Sequence, residues 1–216
     1  MTLKIYAFPL SPRSFKVLWA ANHMQLPFEL KLVDFSKNAQ NDADYLQKIN
    51  PNGRAPAIDD GGYVLWESNA ILEYFASRKP EMGLLPQETK ARLQVTKWLY
   101  WESAHWDPAC AIFAFERVVK KLFQRGEPVQ AEIDKGTEMF ARIGKVLDGA
   151  LAQHRFVASD TLTVADLSLG ASMCIAEDAG FPIENYRNIQ RWKTELTALP
   201  SWVKSSALRV PPGRAA

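Results

Sequence analysis

The strongest constraint on the fold of this chain is that its strand-like segments are confined to one end. Apolar runs typical of strands alternate with amphipathic segments only within the first 80 residues, in the order βαβαββα. A short segment with a proline at each end, 80–86, follows, and everything after it has helical periodicity. The sequence therefore predicts an α/β domain at 1–80, a linker at 81–87 and an all-helical domain at 88–216.

Proline and glycine mark the ends of the predicted elements in the first domain. Pro9 and Pro12 end the first strand, and a helix with apolar residues at helical spacing follows. Residues 59–62, Asp-Asp-Gly-Gly, lie between two short apolar runs and predict a hairpin turn. This arrangement places the loops of the domain at 9–14 and 50–56.

The helical part contains three further signals. Pro108 is predicted to kink a long, aromatic-rich helix at 88–123. Thr163 and Asp166 have the spacing of a capping box and predict the start of a buried helix. The residues from 211 onward are predicted to be disordered.

Composition and charge exclude several classes of function. The chain of 216 residues has 26 basic and 24 acidic side chains, evenly distributed, so it lacks the basic excess that nucleic-acid binding requires. Cys110 and Cys174 are far apart, which excludes a disulfide scaffold, and the three histidines lack metal-ligand spacing. No apolar run reaches the length of a membrane span. We expect a soluble protein of a reducing compartment that binds no metal, nucleic acid or membrane.

Four short motifs occur in a definite order: F-P-L-S-P-R-S at 8–14, N-P-N-G-R-A-P-A at 50–57, E-S-N-A-I at 67–71 and T-V-A-D at 163–166. Together they resemble the serine-type active-site loop, the cis-proline segment, the E-S-x-A-I motif and the buried capping box of cytosolic glutathione transferases. The resemblance covers essentially the whole chain and is greatest to the phi, theta and zeta groups and bacterial relatives. It implies a thioredoxin-like domain, an all-helical domain, and conjugation of glutathione to electrophilic, mostly hydrophobic small molecules.

Three hydroxyl groups are candidates for stabilising the glutathione thiolate. Ser11 lies between a strand and a helix N-terminus, where its hydroxyl can donate to sulfur and the helix dipole favours negative charge. Lowering the pKa of a thiol by ~2 units requires about 2.7 kcal/mol, and one hydrogen bond to a charged group contributes about 1.5–3 kcal/mol. Ser14 competes for this role, and Tyr6 is a third candidate because other groups of the family use a tyrosine from this strand region. The resemblance favours Ser11.

The resemblance also assigns residues to the cysteinyl and γ-glutamyl parts of glutathione. The backbone N–H and C=O of Ala55, before a cis Pro56, would pair with the cysteinyl unit like an added strand. Alanine stands here where the family usually has valine. Ser68, at a predicted helix start, would bind the γ-glutamyl carboxylate, and Glu67 would bind the ammonium. An ordinary helix N-cap has the same geometry, so both interpretations stay open.

The glycyl carboxylate of glutathione needs a cation or amide donors. Phi and theta relatives often have His-Lys before the second helix, whereas this sequence has Gln40-Asn41. Lys37 and Arg54 are the cations assigned to this role instead.

Aromatic residues on the predicted long helix are candidates for the pocket of the second substrate, since the family builds that pocket from this helix and the C-terminal segment. Packing in a core or an interface is the alternative for such residues. Cys110 is interpreted as a packed apolar side chain rather than a nucleophile. The residues assigned to the pocket are Trp101, His105, Trp106 and Phe113.

Two other functions remain compatible with the sequence. One is a glutathione-dependent reductase, isomerase or ether-cleaving enzyme, since the same thiolate would serve. The other is a non-catalytic relative that binds glutathione or hydrophobic ligands. The resemblance further implies a homodimer and a cytoplasmic location.

Overall fold

The computed structural model describes residues 2–210 of the chain, which is divided into two compact units. Of the described residues, the first unit comprises 2–85 together with 198–210, and the second comprises 86–197. The sequence assigned the last segment to the helical domain, whereas the structure places its described part in the first unit. Residues 211–216, predicted to be disordered, lie outside the described residues.

The first unit is built on a four-stranded mixed sheet with strand order β2-β1-β3-β4. Its order of elements is the predicted βαβαββα, and it is a thioredoxin-like domain. The strands and helices are β1 (Leu3–Ala7), α1 (Pro12–His23), β2 (Phe28–Leu32), α2 (Ala43–Lys48), β3 (Ala57–Asp60), β4 (Tyr63–Trp66) and α3 (Ser68–Ser77), with 3-10 turns at Phe35–Lys37, Ala39–Asn41 and Pro80–Met82.

Helices make up the remainder of the described chain, as predicted. No helix among residues 2–210 is long and apolar enough to cross a membrane. The helices are α4 (Thr89–Trp101), α5 (Asp107–Phe113), α6 (Lys120–Phe123), α7 (Gln130–Gln153), α8 (Val164–Gly170), α9 (Ala176–Ala179) and α10 (Arg187–Thr197) in the second unit, and α11 (Pro200–Ser206) in the first.

One face of the sheet forms the core of the first unit. Leu3, Ile5 and Ala7 of β1 are buried, and Lys4 and Tyr6, which alternate with them, point to the other face. Helices α1 and α3 pack on the sheet and on each other. The apolar side chains that recur at helical spacing along α1 and α3 form the sides of these helices that are buried against the sheet.

Helix α11 belongs to the first unit because it packs against α1. The indole of Trp202 makes edge contacts with the rings of Phe15 and Trp19, both at centroid distances of 4.8 Å. The indole nitrogen of Trp19 also donates a hydrogen bond of 3.1 Å to the hydroxyl of Ser201. Aromatic contact and hydrogen bonding together hold the C-terminal helix on the face of α1.

The predicted long helix at 88–123 is interrupted by two π-helical segments, Glu102–Trp106 and Ala114–Val119. Pro108 follows the first segment, at the start of α5. Because proline has no N–H, the α-helical hydrogen bond to the preceding turn cannot form there, and a wider turn accommodates the change. Each wider turn rotates the residues beyond it away from the positions that a regular α-helix would give them.

The second unit contains a buried capping box at the start of α8. The hydroxyl of Thr163 accepts a hydrogen bond of 3.3 Å from the N–H of Ala165, and Asp166 Oδ2 accepts one of 3.0 Å from the N–H of Thr163. Asp166 Oδ1 accepts from the N–H of Val157 at 2.9 Å and from the indole of Trp192 at 3.0 Å. Burial raises the pKa of Asp166 to about 6.

Candidate active site

The register of the sheet brings the predicted site residues to one end of the first unit. Tyr6 near the end of β1 pairs with Ala57 at the start of β3, and Ala57 pairs with Trp66 at the end of β4. Because both pairs are antiparallel, the loop after β1, the segment before β3 and the residues after β4 lie at the same end of the sheet. These three segments contain Ser11, Ala55, Pro56, Glu67 and Ser68.

Ser11 is the N-cap residue of α1, with an extended backbone conformation. Its N–H donates to the carbonyl of Phe8 at 2.9 Å, and its carbonyl accepts from the N–H of Phe15 at 2.8 Å, so the backbone is held on both sides. Its side chain makes no capping hydrogen bond and is partly exposed. The hydroxyl can therefore donate to a ligand at the positive end of the helix dipole.

The other two candidate hydroxyls have different surroundings. Ser14 is fully buried, and its hydroxyl accepts a hydrogen bond of 3.1 Å from the N–H of Phe8. Tyr6 lies on the opposite face of the sheet from the core, where its ring makes an edge contact with Tyr45 at 6.1 Å. Ser14 thus stabilises the loop from inside, and Tyr6 belongs to the face that carries α2.

The segment before β3 contains a cis peptide bond between Ala55 and Pro56. Two side chains hold the backbone just before it: the hydroxyl of Tyr45 and the amide of Asn50 donate to the carbonyl of Arg54 at 2.7 and 2.9 Å. Sequence reasoning missed both supporting residues. Asn50 belongs to the turn motif that was recognised, but nothing in the sequence indicated that Tyr45 reaches this carbonyl.

The first turn of α3 carries the candidate γ-glutamyl site. Glu67 is exposed and has a φ of 72°, an uncommon conformation for a residue with a side chain. Ser68, the first residue of the helix, is 9% exposed. The backbone of Glu67 therefore turns sharply between β4 and α3, and such outliers are frequent where a ligand is held.

A buried cation links the two helix starts. Lys16 of α1 is 2% exposed, and its ammonium donates a hydrogen bond of 2.9 Å to the side-chain carbonyl of Asn69 in the first turn of α3. This contact makes the N-terminal parts of α1 and α3 neighbours, since Ser68 directly precedes Asn69 and Ser11 lies five residues before Lys16. Sequence reasoning did not identify Lys16, because a single lysine in an amphipathic helix is ordinarily exposed.

The two cations assigned to the glycyl carboxylate are less well fixed. The ammonium of Lys37 lies 3.9 Å from a carboxylate oxygen of Asp34, and its side chain is 81% exposed. Arg54 is also exposed. The amides of Gln40 and Asn41 both donate to the side chain of Asn38, at 3.0 and 2.7 Å. The hydrogen bonds of Gln40 and Asn41 therefore stabilise the loop itself.

The aromatic candidates of the second unit separate into two groups. Trp101 is half-buried and contacts the ring of the exposed His105 at 6.0 Å. Trp106 is fully buried, and its indole nitrogen donates to the carbonyl of Leu169 at 3.1 Å and to the hydroxyl of Ser172 at 2.9 Å. Of these three side chains, those of Trp101 and His105 are accessible to a ligand.

Phe113 has the same role as Trp106. It is 1% exposed and packs against Phe140 at 6.1 Å and Phe181 at 6.0 Å. Trp106 and Phe113 are core residues of the second unit, which corrects their assignment to the acceptor pocket. Cys110 is buried as well, and burial raises the pKa of its thiol well above the ordinary range.

A thioredoxin-like domain followed by an all-helical domain is the architecture implied by the resemblance to glutathione transferases, and comparisons with known proteins agree. The family model described as "Glutathione S-transferase, N-terminal domain" matches residues 1–77. The model described as "Glutathione S-transferase, C-terminal domain" matches residues 103–200. Glutathione S-transferase 3 of Zea mays is 33% identical over 97% of this chain and 96% of its own length. The chain belongs to the glutathione S-transferase family.

Solved structures support the same conclusion. The structure of a glutathione S-transferase III in its apo form has a TM-score of 0.87 and 31% identity, covering 98% of this chain and 99% of the other. That of a poplar glutathione transferase F1 has a TM-score of 0.86 and 27% identity, covering 97% of this chain and 98% of the other. The activity is accordingly that of a transferase that conjugates glutathione.

Proposed function

We propose that Ser11 activates glutathione for attack on electrophilic, mostly hydrophobic small molecules. The observation that carries the proposal is its free hydroxyl at the N-terminus of α1, at the sheet end shared with the cis-proline segment and the start of α3. Bound glutathione releases its thiol proton to solvent water, and the hydroxyl of Ser11 donates a hydrogen bond to the resulting thiolate. The sulfur then forms a bond to the electrophilic atom, whose leaving group departs with the bonding electron pair.

The remaining part of the site would hold the tripeptide in place. The N–H and C=O of Ala55, beside Pro56, pair with the cysteinyl backbone, and the N–H and hydroxyl of Ser68 bind the γ-glutamyl carboxylate. Glu67 pairs with the γ-glutamyl ammonium. We assign the glycyl carboxylate to Lys37 and Arg54, the exposed cations that flank α2 in the sequence.

The second substrate is proposed to contact Trp101 and His105. Trp101 offers a half-buried ring and His105 an exposed one, and they lie within 6.0 Å of each other. An aromatic pair of this kind suits an apolar, planar electrophile.

The γ-glutamyl site is tested by replacing Ser68 with alanine. Loss of a hydrogen bond to a charged group is expected to weaken glutathione binding roughly 10- to 150-fold, from about 1.5–3 kcal/mol. Calorimetric titration at neutral pH measures the effect. Ser77→Ala, at the exposed end of the same helix, is the matched control and should bind like the wild type. Equal glutathione affinities of the wild type, Ser68→Ala and Ser77→Ala would show that Ser68 does not bind glutathione.

We also propose that the chain forms the homodimer that is usual for the family, with the first domain of one subunit against the helices of the other. Large apolar side chains are exposed on both units: Tyr63 and Trp66 on β4, 53% and 38%, and Leu93 and Tyr100 on α4, 58% and 74%. Leu93 and Tyr100 are seven residues apart and share a helix face. Each unit therefore has an exposed apolar surface that a second copy can cover.

Substituting Tyr100 with aspartate is expected to dissociate this dimer. A charge in an apolar interface loses its hydration without gaining a partner. Light scattering after gel filtration should give twice the mass of one chain for the wild type and the mass of one chain for the variant. Val146→Asp, at an apolar residue of α7 that is 49% exposed, should remain dimeric. A monomeric wild type would contradict the proposal.

A cytoplasmic location is proposed from the state of the cysteines. Cys110 and Cys174 form no disulfide bond. Cysteines outside disulfide bonds are typical of proteins in reducing compartments.

A further inference from the structure

A second concave site lies in the first unit, on the face of the sheet that carries α2. It is a groove of about 430 Å³, within the range of pockets that hold small organic molecules. Tyr6 and Tyr45 line it, together with the aliphatic side chains of Leu32, Val33 and Ile49. None of these residues belongs to the site described above, apart from Tyr45, which supports it through its hydroxyl alone.

Tyr6 is half-buried and presents most of the aromatic surface of the groove, because Tyr45 is only 8% exposed. The two rings make an edge contact at 68°, with centroids 6.1 Å apart. The hydroxyl of Tyr45 donates to the carbonyl of Arg54 at 2.7 Å, which fixes its ring behind Tyr6. An aromatic side chain that lines an open groove offers a negative surface to organic cations.

The charges around the groove leave one carboxylate in excess. The ammonium of Lys31 lies 2.5 Å from a carboxylate oxygen of Glu29, and that of Lys48 lies 2.8 Å from one of Asp44. Asp42 also lines the groove and is exposed. It is the N-cap residue of α2, yet its side chain makes no capping hydrogen bond. The paired charges cancel, and the carboxylate of Asp42 gives the groove a net negative potential.

We propose that this groove binds a planar aromatic cation, with its ring system against Tyr6 and its positive charge against Asp42. The aliphatic side chains of Leu32, Val33 and Ile49 would cover the apolar edge of such a molecule. An aromatic anion would meet the carboxylate of Asp42 and the negative aromatic surface of Tyr6, so the groove selects by the sign of the charge. The proposal is independent of how glutathione is bound.

The dye thioflavin T, a planar aromatic cation, is the probe for the first test. Its affinity for the wild-type chain and for Asp42→Asn is measured by calorimetry with glutathione and without it. The variant is expected to bind about two- to fivefold more weakly, the scale of one exposed ion pair. Glu81→Gln, which removes an exposed carboxylate outside the groove, should bind like the wild type. Equal weakening in both variants, or none in Asp42→Asn, overturns the proposal.

A second pair of variants locates the dye. Leu32 is 52% exposed, so a polar residue is tolerated there. Leu32→Lys places a positive charge on the groove wall and should abolish binding, whereas the uncharged Leu32→Gln should retain most of it. Conjugation activity of Asp42→Asn at the wild-type level shows that the fold is intact. Binding of thioflavin T unchanged by Leu32→Lys would place the dye elsewhere on the molecule and reject the groove as its site.

Discussion

Replacing Ser11 with alanine is expected to reduce kcat/KM for glutathione conjugation by about 10- to 150-fold, because one hydrogen bond to a charged sulfur contributes about 1.5–3 kcal/mol. Glutathione binding should change little, since the contacts to the two ends of the tripeptide remain. Without the hydroxyl, the pKa of the bound thiol rises, and the acidic limb of the pH–rate profile moves to higher pH. Steady-state kinetics with a chloronitroaromatic electrophile between pH 5.5 and 9 measures both effects.

The other two hydroxyls provide the controls for this prediction. Ser14→Ala removes a buried acceptor from the N–H of Phe8 and should lower stability, while the folded fraction keeps its kcat. Tyr6→Phe keeps the ring on the α2 face and should retain turnover. If Ser11→Ala keeps wild-type turnover and one of the other variants loses it, the assignment of the thiolate donor passes to that residue.

Replacing Asp166 with alanine is expected to lower the free energy of unfolding by roughly 3–5 kcal/mol. The carboxylate accepts hydrogen bonds from Val157, Trp192 and Thr163, all buried. Each buried donor left without an acceptor costs about 1–3 kcal/mol, and relief of the buried charge offsets part of the sum. Urea unfolding followed by tryptophan fluorescence measures the loss. A change below about 1 kcal/mol would show that water replaces the carboxylate at this helix start.

The same carboxylate makes stability depend on pH in a definite direction. The pKa of Asp166 is about 6 in the folded chain, above its ordinary 3.8. Between about pH 4 and 6 the folded state therefore holds more protons than the unfolded state, and stability falls as pH rises. Relative to Asp166→Asn, which does not titrate, the wild type should lose about 3 kcal/mol across this window. An identical pH dependence of both proteins would contradict the burial of a charge here.

Most of the first unit could be predicted from sequence because its boundaries depend on local chemistry. The prolines after β1 and the Asp-Asp-Gly-Gly turn end elements wherever they occur, so the order βαβαββα follows from patterns of a few residues. Once that order is known, antiparallel pairing brings Ser11, Ala55 and Ser68 to one end of the sheet. The support from Lys16 and Tyr45 depends on side-chain reach, which no local pattern encodes.

Two of the four residues assigned to the acceptor pocket, Trp106 and Phe113, lie in the core instead. Trp106 ends the first π-helical segment, and Phe113 follows that segment in the chain. Because a wider turn rotates the side chains within and beyond it, a constant period of 3.6 residues does not predict the direction of these two rings. Trp101, which precedes the segment, is partly accessible.

The packing of α11 on α1 has a consequence for how the chain is made. Asn22 is hydrogen-bonded to Ser205, 183 positions later in the chain, so the segment that covers α1 leaves the ribosome long after α1 itself. At a synthesis rate of 5–20 residues per second, Trp202 is made roughly 9 to 36 s after Phe15 and Trp19, the two rings that it covers. During that time the nascent first unit presents an uncovered aromatic surface, and this is the stage of synthesis at which a chaperone would be needed.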